Sequence, residues 1–197
     1  MIILFGLAGS GKGTQGKALS EIFGWRWLSV GEAIRQTGAY KEYTDRGELV
    51  PDEKVIELMD KQIQKAESEG FDVILDGYPR DEVQAKYLTA QMPDKIEGAI
   101  LLEVPKEELY ERLALRGRDD DLDSDSIKRR FEVFEQNIHL ILPLLEAKNI
   151  PIAKVDGVGT VEEVTDRLVA VVKDLAPSAT IQKNDVNGEE IEKSYGE

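Results

Sequence analysis

Five short runs of β-branched and apolar residues recur along the chain, and longer segments with helical spacing of apolar residues separate them. The runs are Ile2–Phe5, Trp27–Val30, Val73–Leu75, Ala99–Leu102 and Ile152–Val155. Strands that are apolar on both faces are typical of a parallel sheet covered by helices on both sides. The alternation therefore predicts an α/β fold with a five-stranded parallel sheet. A length of 197 residues suits one domain with insertions.

The segments between the runs carry start and end signals for helices. The predicted helices run from Asp52 to about Gly70, from Pro105 to about Arg116, from Ser126 to about Pro143, and onward from Thr160. Proline lacks an N–H donor, so Pro143 is expected to kink or end its helix. Thr160 and Glu163 have the spacing of a capping box, which marks the start of the last helix.

The excess of acidic residues limits the kinds of molecule that this chain can bind. With 25 Lys and Arg against 39 Asp and Glu, the net charge is −14. Binding to duplex DNA or to an anionic membrane needs dense positive charge, so neither partner is expected. No apolar run approaches the roughly 18 residues of a membrane span. We therefore expect a cytoplasmic protein, and a monomer, because no apolar stripe demands a partner.

The residue types present also limit the chemistry. The chain has no Cys and a single histidine, His139, which excludes a thiol nucleophile and a metal site built from Cys or several His ligands. Residues 177–197 have few apolar side chains and five acids against two bases. This composition predicts a flexible acidic tail. A tail that binds a partner is the alternative.

The first apolar run leads into a glycine-rich loop. Gly6–Thr14 has the sequence G-L-A-G-S-G-K-G-T, which contains G-x-x-x-x-G-K between a strand and a helix. Backbone N–H groups of such a loop, with the N-terminus of the helix, cradle phosphates, and Lys12 adds a point charge. A chance glycine turn is the alternative. Gly13 stands where Ser or Thr usually ligates Mg²⁺, so the metal would be held more through water and the nucleotide's own oxygens.

Further motifs follow this loop in a fixed order. They are Leu28–Glu32 with Arg35, Gly47–Asp52, Asp76–Arg80 (D-G-Y-P-R) with Gln84, Arg116–Arg118 followed by Asp120, Asp121 and Arg130, and Val155–Gly157. Together with Gly11–Gln15, these segments resemble the adenylate kinase branch of the nucleoside monophosphate kinases. The resemblance covers residues 1–175.

The resemblance implies a fold and an activity. The fold would be a P-loop NTPase three-layer sandwich over residues 1–176, with a segment at about 31–59 that binds the nucleoside monophosphate and a short lid at about 117–124. The activity would be reversible, Mg²⁺-dependent transfer of the terminal phosphoryl group of ATP to AMP, giving two ADP. Both insertions would close on the ligands and exclude water.

The resemblance also assigns residues to two nucleotide sites. Those implied for ATP are Gly9, Ser10, Gly11, Lys12, Gly13, Thr14, Arg116 and Gly159. Those implied for AMP are Val30, Arg35, Glu48, Leu49, Val50, Gly77, Tyr78, Pro79, Arg80, Gln84, Arg118 and Arg130. The catalytic set would be Lys12, Asp76, Arg80, Arg116, Arg118 and Arg130.

These residue types suit phosphoryl transfer between two polyanions, which depends on positioning and charge neutralisation. The guanidinium fork of arginine pairs bidentately with phosphate oxygens. Asp76 ends an apolar strand and would hold Mg²⁺ through water, with a structural Asp–Gly turn as the alternative. Arg112 has two interpretations, stacking on the donor base or a surface pair with Glu108. Asp120 and Asp121 would either pair with lid arginines or merely solvate a loop.

Several functional alternatives remain at this stage. Val30 lacks the hydroxyl of the threonine found in many adenylate kinases, which keeps a UMP/CMP kinase or a broader monophosphate kinase open. The Gln84 amide offers both a donor and an acceptor to an adenine edge. A nucleotide-dependent switch protein is disfavoured by Gly13, because such proteins carry Ser or Thr after the lysine. A catalytically dead scaffold is disfavoured by the complete set of cations.

Overall fold

The apolar runs form one parallel sheet in the computed structural model, which describes residues 1–117 and 123–182. The strands are β1 (Ile2–Phe5), β2 (Arg26–Ser29), β3 (Val73–Asp76), β4 (Gly98–Glu103) and β5 (Ile152–Asp156). Their order across the sheet is β2-β3-β1-β4-β5, and every neighbouring pair is parallel. The predicted five-stranded parallel sheet is confirmed.

Helices connect these strands. They are α1 (Lys12–Phe23), α2 (Val30–Thr37), α3 (Lys41–Thr44), α4 (Asp52–Ser68), α5 (Glu82–Gln91), α6 (Lys106–Arg116), α7 (Ser124–Glu146) and α8 (Val161–Leu175). Thr160 and Glu163 form the predicted capping box of α8. Within residues 1–117 and 123–182, no helix combines the length and apolarity needed to cross a bilayer.

The predicted start of α7 was wrong, and of the two outcomes expected at Pro143 the end of the helix was wrong. The helix begins at Ser124 because the Asp123 carboxylate caps it, accepting from the backbone N–H groups of Asp125 and Ser126. It also continues past Pro143 to Glu146. A proline in the last turns removes one N–H donor only, and its own carbonyl still accepts from Ala147 N at 2.9 Å. Burial of Leu145 stabilises this final turn.

The central strand β1 serves two separate cores. Ile3 and Phe5 face a cluster shared with α2, α4, α5 and α7, whereas Ile2 and Leu4 face a cluster shared with α1 and α8. Successive strand residues point to opposite faces, so a run of four apolar residues supplies both cores. This is the three-layer arrangement that the apolar pattern predicts, and it leaves the carboxyl ends of the strands at one edge.

The segment after α8 packs differently from the expectation of a tail starting at Pro177. Ala179 packs against the α1–α8 core, and the backbone N–H of Gln182 donates to the carbonyl of Ile22 at 2.8 Å. Residues 177–182 therefore return to the end of α1. The rest of the predicted tail, 183–197, lies outside the described residues, as do 118–122 of the predicted lid.

Candidate active site

The glycine-rich loop connects β1 to the N-terminus of α1. Gly11 caps the helix with φ 93° and without a side-chain hydrogen bond, so the first N–H groups of α1 face the loop. Gly9 has φ 85°, and a Cβ there would lie 3.0 Å from the Leu113 side chain and 3.1 Å from the Leu109 carbonyl. Both the positive φ and the close contact with α6 require glycine at position 9.

Lys12 lies at the centre of this loop. Its Nζ donates to the carbonyls of Gly6 at 2.7 Å and Leu7 at 2.9 Å. The pKa of Lys12 is lowered to about 8, mainly because the ammonium group is buried; the Asp76 carboxylate opposes this shift, and the nearby Arg80 and Arg116 contribute to it. The fold therefore brings residues from three separate motifs into the electrostatic field of one ammonium group.

An open cleft of about 1540 Å³ runs from this loop to α2 and α7. The sequence-predicted residues that line it are Gly9, Ser10, Gly11, Lys12, Gly13, Thr14, Arg35, Glu48, Leu49, Asp76, Gly77, Pro79, Arg80, Arg116, Arg130 and Gly159. Residues from widely separated segments thus meet in one cavity. Arg118, Asp120 and Asp121 lie outside the described residues.

The far wall of the cleft carries a cluster of arginines beside a carboxylate. Asp76 ends β3, next to β1 in the sheet, and is only 6% exposed. Desolvation lowers the pKa of Arg80 to about 10; Arg35 and Arg130 contribute to that lowering, and Asp76 counteracts it. The guanidinium of Arg80 stays charged at neutral pH and is fixed by a 3.1 Å hydrogen bond from Nε to the Gly77 carbonyl. This geometry suits the binding of a second phosphate group.

Four residues implied for AMP lie behind the cleft wall rather than on it. Val30, Val50, Tyr78 and Gln84 are almost completely buried and do not line the cavity. Val30 begins α2 and packs in the core, so its missing hydroxyl is not at the surface of the site in this conformation. The Gln84 amide donates to the carboxylates of Asp52 and Asp81 and accepts from the backbone N–H of Arg80. The other residues implied for AMP, apart from Arg118, reach the cleft.

Arg112 shows the pairing with Glu108 that was one of its two interpretations. Its Nη2 donates to the Glu108 carboxylate and also to the carbonyl of Gly157 at 3.0 Å. Arg112 lines the cleft next to the glycine loop. It therefore joins α6 to the loop after β5, a contact that sequence spacing alone does not indicate.

The segment before α4 contacts α7 through residues that the sequence did not connect. The Glu48 carboxylate lies 3.1 Å from the Arg46 guanidinium and 3.6 Å from that of Arg129. At Gly47 (φ 68°) an added Cβ would lie 2.6 Å from the Ser126 carbonyl. Arg129 and Ser126 carry no motif, so no local signal identified them as partners of this segment.

The fold and the site together define a P-loop protein built for phosphoryl transfer. A parallel sheet places the glycine loop and its lysine at the carboxyl edge of the strands. Arg35, Arg80 and Arg130 face the loop across the same cleft. Cations from several segments around one cavity suit two phosphorylated ligands whose phosphates meet.

Comparison with known proteins identifies the family. The family model described as "Adenylate kinase" matches residues 4–150. An adenylate kinase of Thermus thermophilus is 33% identical over 186 residues, covering 87% of this chain and 96% of that protein. One from Synechococcus sp. is 37% identical over 180 residues, covering 86% and 96%. One from Porphyromonas gingivalis is 34% identical over 188 residues, covering 87% and 94%. The chain belongs to the adenylate kinase family.

Proposed function

We propose that the chain transfers the terminal phosphoryl group of ATP reversibly to AMP and forms two ADP. The main support for this proposal is that one cleft collects five basic residues although the protein has a net charge of −14. They are Lys12, Arg35, Arg80, Arg116 and Arg130. Membership of the adenylate kinase family supports AMP as acceptor over UMP or CMP, because the relatives compared above carry that name.

On the donor side, the loop residues Gly9–Thr14 would hold the phosphates of ATP. The N–H groups at the start of α1 and the Lys12 ammonium supply positive charge where the β- and γ-phosphates lie. Arg116 at the end of α6 and Gly159 after β5 border this side of the cleft. Arg116 would therefore neutralise charge on the group in transfer.

On the acceptor side, Arg35, Arg80 and Arg130 would hold the monophosphate. Glu48 and Leu49 would border the acceptor nucleoside, with Gly77 and Pro79 shaping the turn below it. A phosphate oxygen of AMP is itself the nucleophile, so no general base is required. The work of the protein is to hold two anions in line and to neutralise their charge.

Mg²⁺ fits the residues present. Asp76 is buried beside Lys12 and offers a hard carboxylate oxygen at the cleft floor, and Thr14 lines the same cavity. Bound with ATP, the ion would neutralise phosphate charge. Asp76 would hold it through water, and Thr14, one residue later than the usual position, would supply a hydroxyl nearby.

The domain organisation completes the proposal. Segment 31–59 would close over AMP, and segment 117–124, which contains Arg118, would close over the group in transfer. Closure would exclude water and suppress hydrolysis of ATP. We also propose that the protein works as a cytoplasmic monomer, which light scattering coupled to gel filtration tests for the oligomeric state.

The test is diphosphate formation from Mg·ATP with AMP, dAMP, CMP, UMP and GMP side by side, with Arg80→Ala as the blank. AMP should exceed CMP and UMP by at least about tenfold in kcat/KM, which corresponds to about 1.4 kcal/mol of transition-state discrimination. Equal turnover of CMP or UMP would refute AMP as the preferred acceptor. Equal activity of Arg80→Ala and the unmodified protein would refute the assigned site.

A further inference from the structure

The indole ring of Trp27 lies against the first two turns of α1. A Cβ added to Gly16 would lie only 2.4 Å from both Cδ1 and Nε1 of this ring. A Cβ added to Gly13 would lie 3.6 Å from Cζ2, which is an ordinary contact distance. Glycine inside a helix is less favourable than alanine, and the space taken by the indole ring explains why position 16 has no side chain.

The benzene edge of the same ring and the carboxylate of Asp76 lie beside the same glycine. The Cβ at Gly13 that would contact Trp27 Cζ2 would also lie 3.8 Å from Asp76 Oδ2. The register of β2 and β3 pairs Trp27 with Ile74 and Ser29 with Asp76. Ile74 packs in the core shared with α1 and α8. Residues that are paired, or two apart on one strand, point to the same face of a sheet, so Trp27 and Asp76 both face α1.

A lysine of α1 adds a further contact with the ring. β2 is an edge strand, and Trp27 lines the cleft together with Lys17. The Lys17 ammonium lies 5.0 Å from the centroid of the indole ring, a distance at which the ring attracts a cation. Lys17 follows Gly13 by one turn of the same helix. The first turns of α1 are therefore joined to the ring by both glycine contacts and a cation.

The second tryptophan, Trp25, has a different environment. It is buried, and its ring centroid lies 5.2 Å from that of Phe23 at the end of α1. It belongs to the core shared by α1 and α8 and does not line the cleft. The chain therefore offers a matched tryptophan that packs against the same helix away from the site.

We propose that Trp27 is a positioning residue whose indole ring sets the distance between the first turn of α1 and Asp76. The N–H groups of that turn and the Asp76 carboxylate border the donor side of the cleft, so their separation decides how the phosphates of ATP are aligned. Trp27 would act through these groups and not by contact with the nucleotide. The inference rests on the proposed function for the identity of the donor. The contacts of the ring with Gly13 and Gly16 are independent of it.

The experiment measures the binding of ATP and of AMP separately by calorimetry, which needs no turnover. Trp27→Ala removes the ring and should weaken ATP binding by about fivefold to tenfold, because the first turn of α1 can move into the space left beside Asp76. Trp27→Phe keeps an aromatic ring without the edge that reaches Gly13, so its effect should be smaller. Binding of AMP, which depends on Arg35 and Arg80, should change by less than about twofold for both variants.

Gly16→Ala tests the coupling between the ring and the helix, because it adds one methyl group where the ring lies. In the unmodified protein it should weaken ATP binding by about fivefold to tenfold, since the ring and the helix must move apart. In the Trp27→Ala background the methyl group has space, so Gly16→Ala should cause no further loss. Alanine also stabilises the helix, so the double variant keeps the test valid if Trp27→Ala alone folds poorly.

Trp25→Phe is the matched control and should leave the binding of both nucleotides unchanged. A loss of AMP affinity as large as the loss of ATP affinity in Trp27→Ala would show that Trp27 acts through α2, which begins three residues later, and would overturn the proposal. So would unchanged ATP binding in Gly16→Ala, or an equal loss from Gly16→Ala in both backgrounds. If the unmodified protein binds ATP but forms no ADP from AMP, the proposed function fails, whereas the binding comparison still decides the role of Trp27.

Discussion

Asp81 allows a pH-dependent stability to be worked out from the structure. The pKa of Asp81 is raised from its ordinary 3.8 to about 6, mainly by burial and also by a hydrogen bond shared with the Asp52 carboxyl. The backbone N–H groups of Gln84 and Val83 oppose it without cancelling it. The folded protein therefore binds a proton at Asp81 that the unfolded chain has already lost between pH 4 and 6.

The sign of the effect follows from this proton. When the pKa of a carboxyl is higher in the folded protein than in the unfolded chain, the free energy of unfolding falls as the pH rises from the unfolded to the folded pKa. The difference between the folded and the ordinary pKa of Asp81 corresponds to about 3 kcal/mol of unfolding free energy, at about 1.36 kcal/mol per unit of pKa. Asp81 is partly exposed, so solvent screening reduces the cost to about 1–2 kcal/mol above pH 6.

Asp81→Asn tests this value. Asparagine is as good an N-cap as aspartate, so the cap on α5 is kept while the charge is removed. Relative to the unmodified protein, the free energy of unfolding of the variant should be about 1–2 kcal/mol more favourable at pH 7.5 than at pH 3.5. The hydrogen bond from Gln84 Nε2 to Asp81 Oδ2 is lost at both pH values and does not enter this difference. Urea unfolding at a series of pH values measures this difference.

Asp94→Asn, an exposed site, is the control for removing one negative charge from an acidic protein. Its difference from the unmodified protein should be small, within about 0.5 kcal/mol, and nearly independent of pH. A relative stability of Asp81→Asn that is the same at both pH values, or lower at pH 7.5 than at pH 3.5, would refute the reasoning.

Three further predictions concern the glycine loop. Lys12→Met should lower kcat/KM for ATP by at least about a hundredfold, as removal of a preorganised charge does, with a circular dichroism spectrum like that of the unmodified protein. Because the pKa of Lys12 is lowered to about 8, binding of ATP measured by calorimetry should weaken above pH 8, and Lys12→Arg should remove that trend. Leu113 is fully buried beneath Gly9, so Leu113→Ala should lower the free energy of unfolding in urea by about 2–5 kcal/mol.

The sheet and the phosphate loop could be predicted from the sequence because both are determined by residues close together in the chain. Ile2–Phe5 is continuously apolar since β1 is covered on both faces, and the observed strand has those bounds. The loop is likewise specified by glycine positions and by the lysine that starts α1. Such features depend only on the residue types and their spacing, which the sequence itself provides.

The parts that escaped prediction depend on contacts between distant segments. The Gln84 amide donates to Asp81 in its own segment and also to Asp52, 32 positions away, and the motif gives no sign of the second contact. The return of residues 177–182 to α1 depends on a backbone bond to Ile22, which polar composition conceals. The early start of α7 depended on choosing which of several acids caps it, and nothing in the acid run itself distinguishes Asp123.

The close contact between Gly47 and α7 fixes the distance between the segment before α4 and that helix. With a Cβ at 2.6 Å from the Ser126 carbonyl, the segment would have to stand back by about 0.8 Å to reach ordinary contact. Displacements of about 1 Å can cost a hundredfold in a reaction that depends on alignment. The absence of a side chain at Gly47 therefore sets the distance between Arg130 and the neighbouring residues Glu48 and Leu49. A methyl group at position 47 would also lie 3.1 Å from Arg130 Cγ, and it would widen that gap without changing any charge.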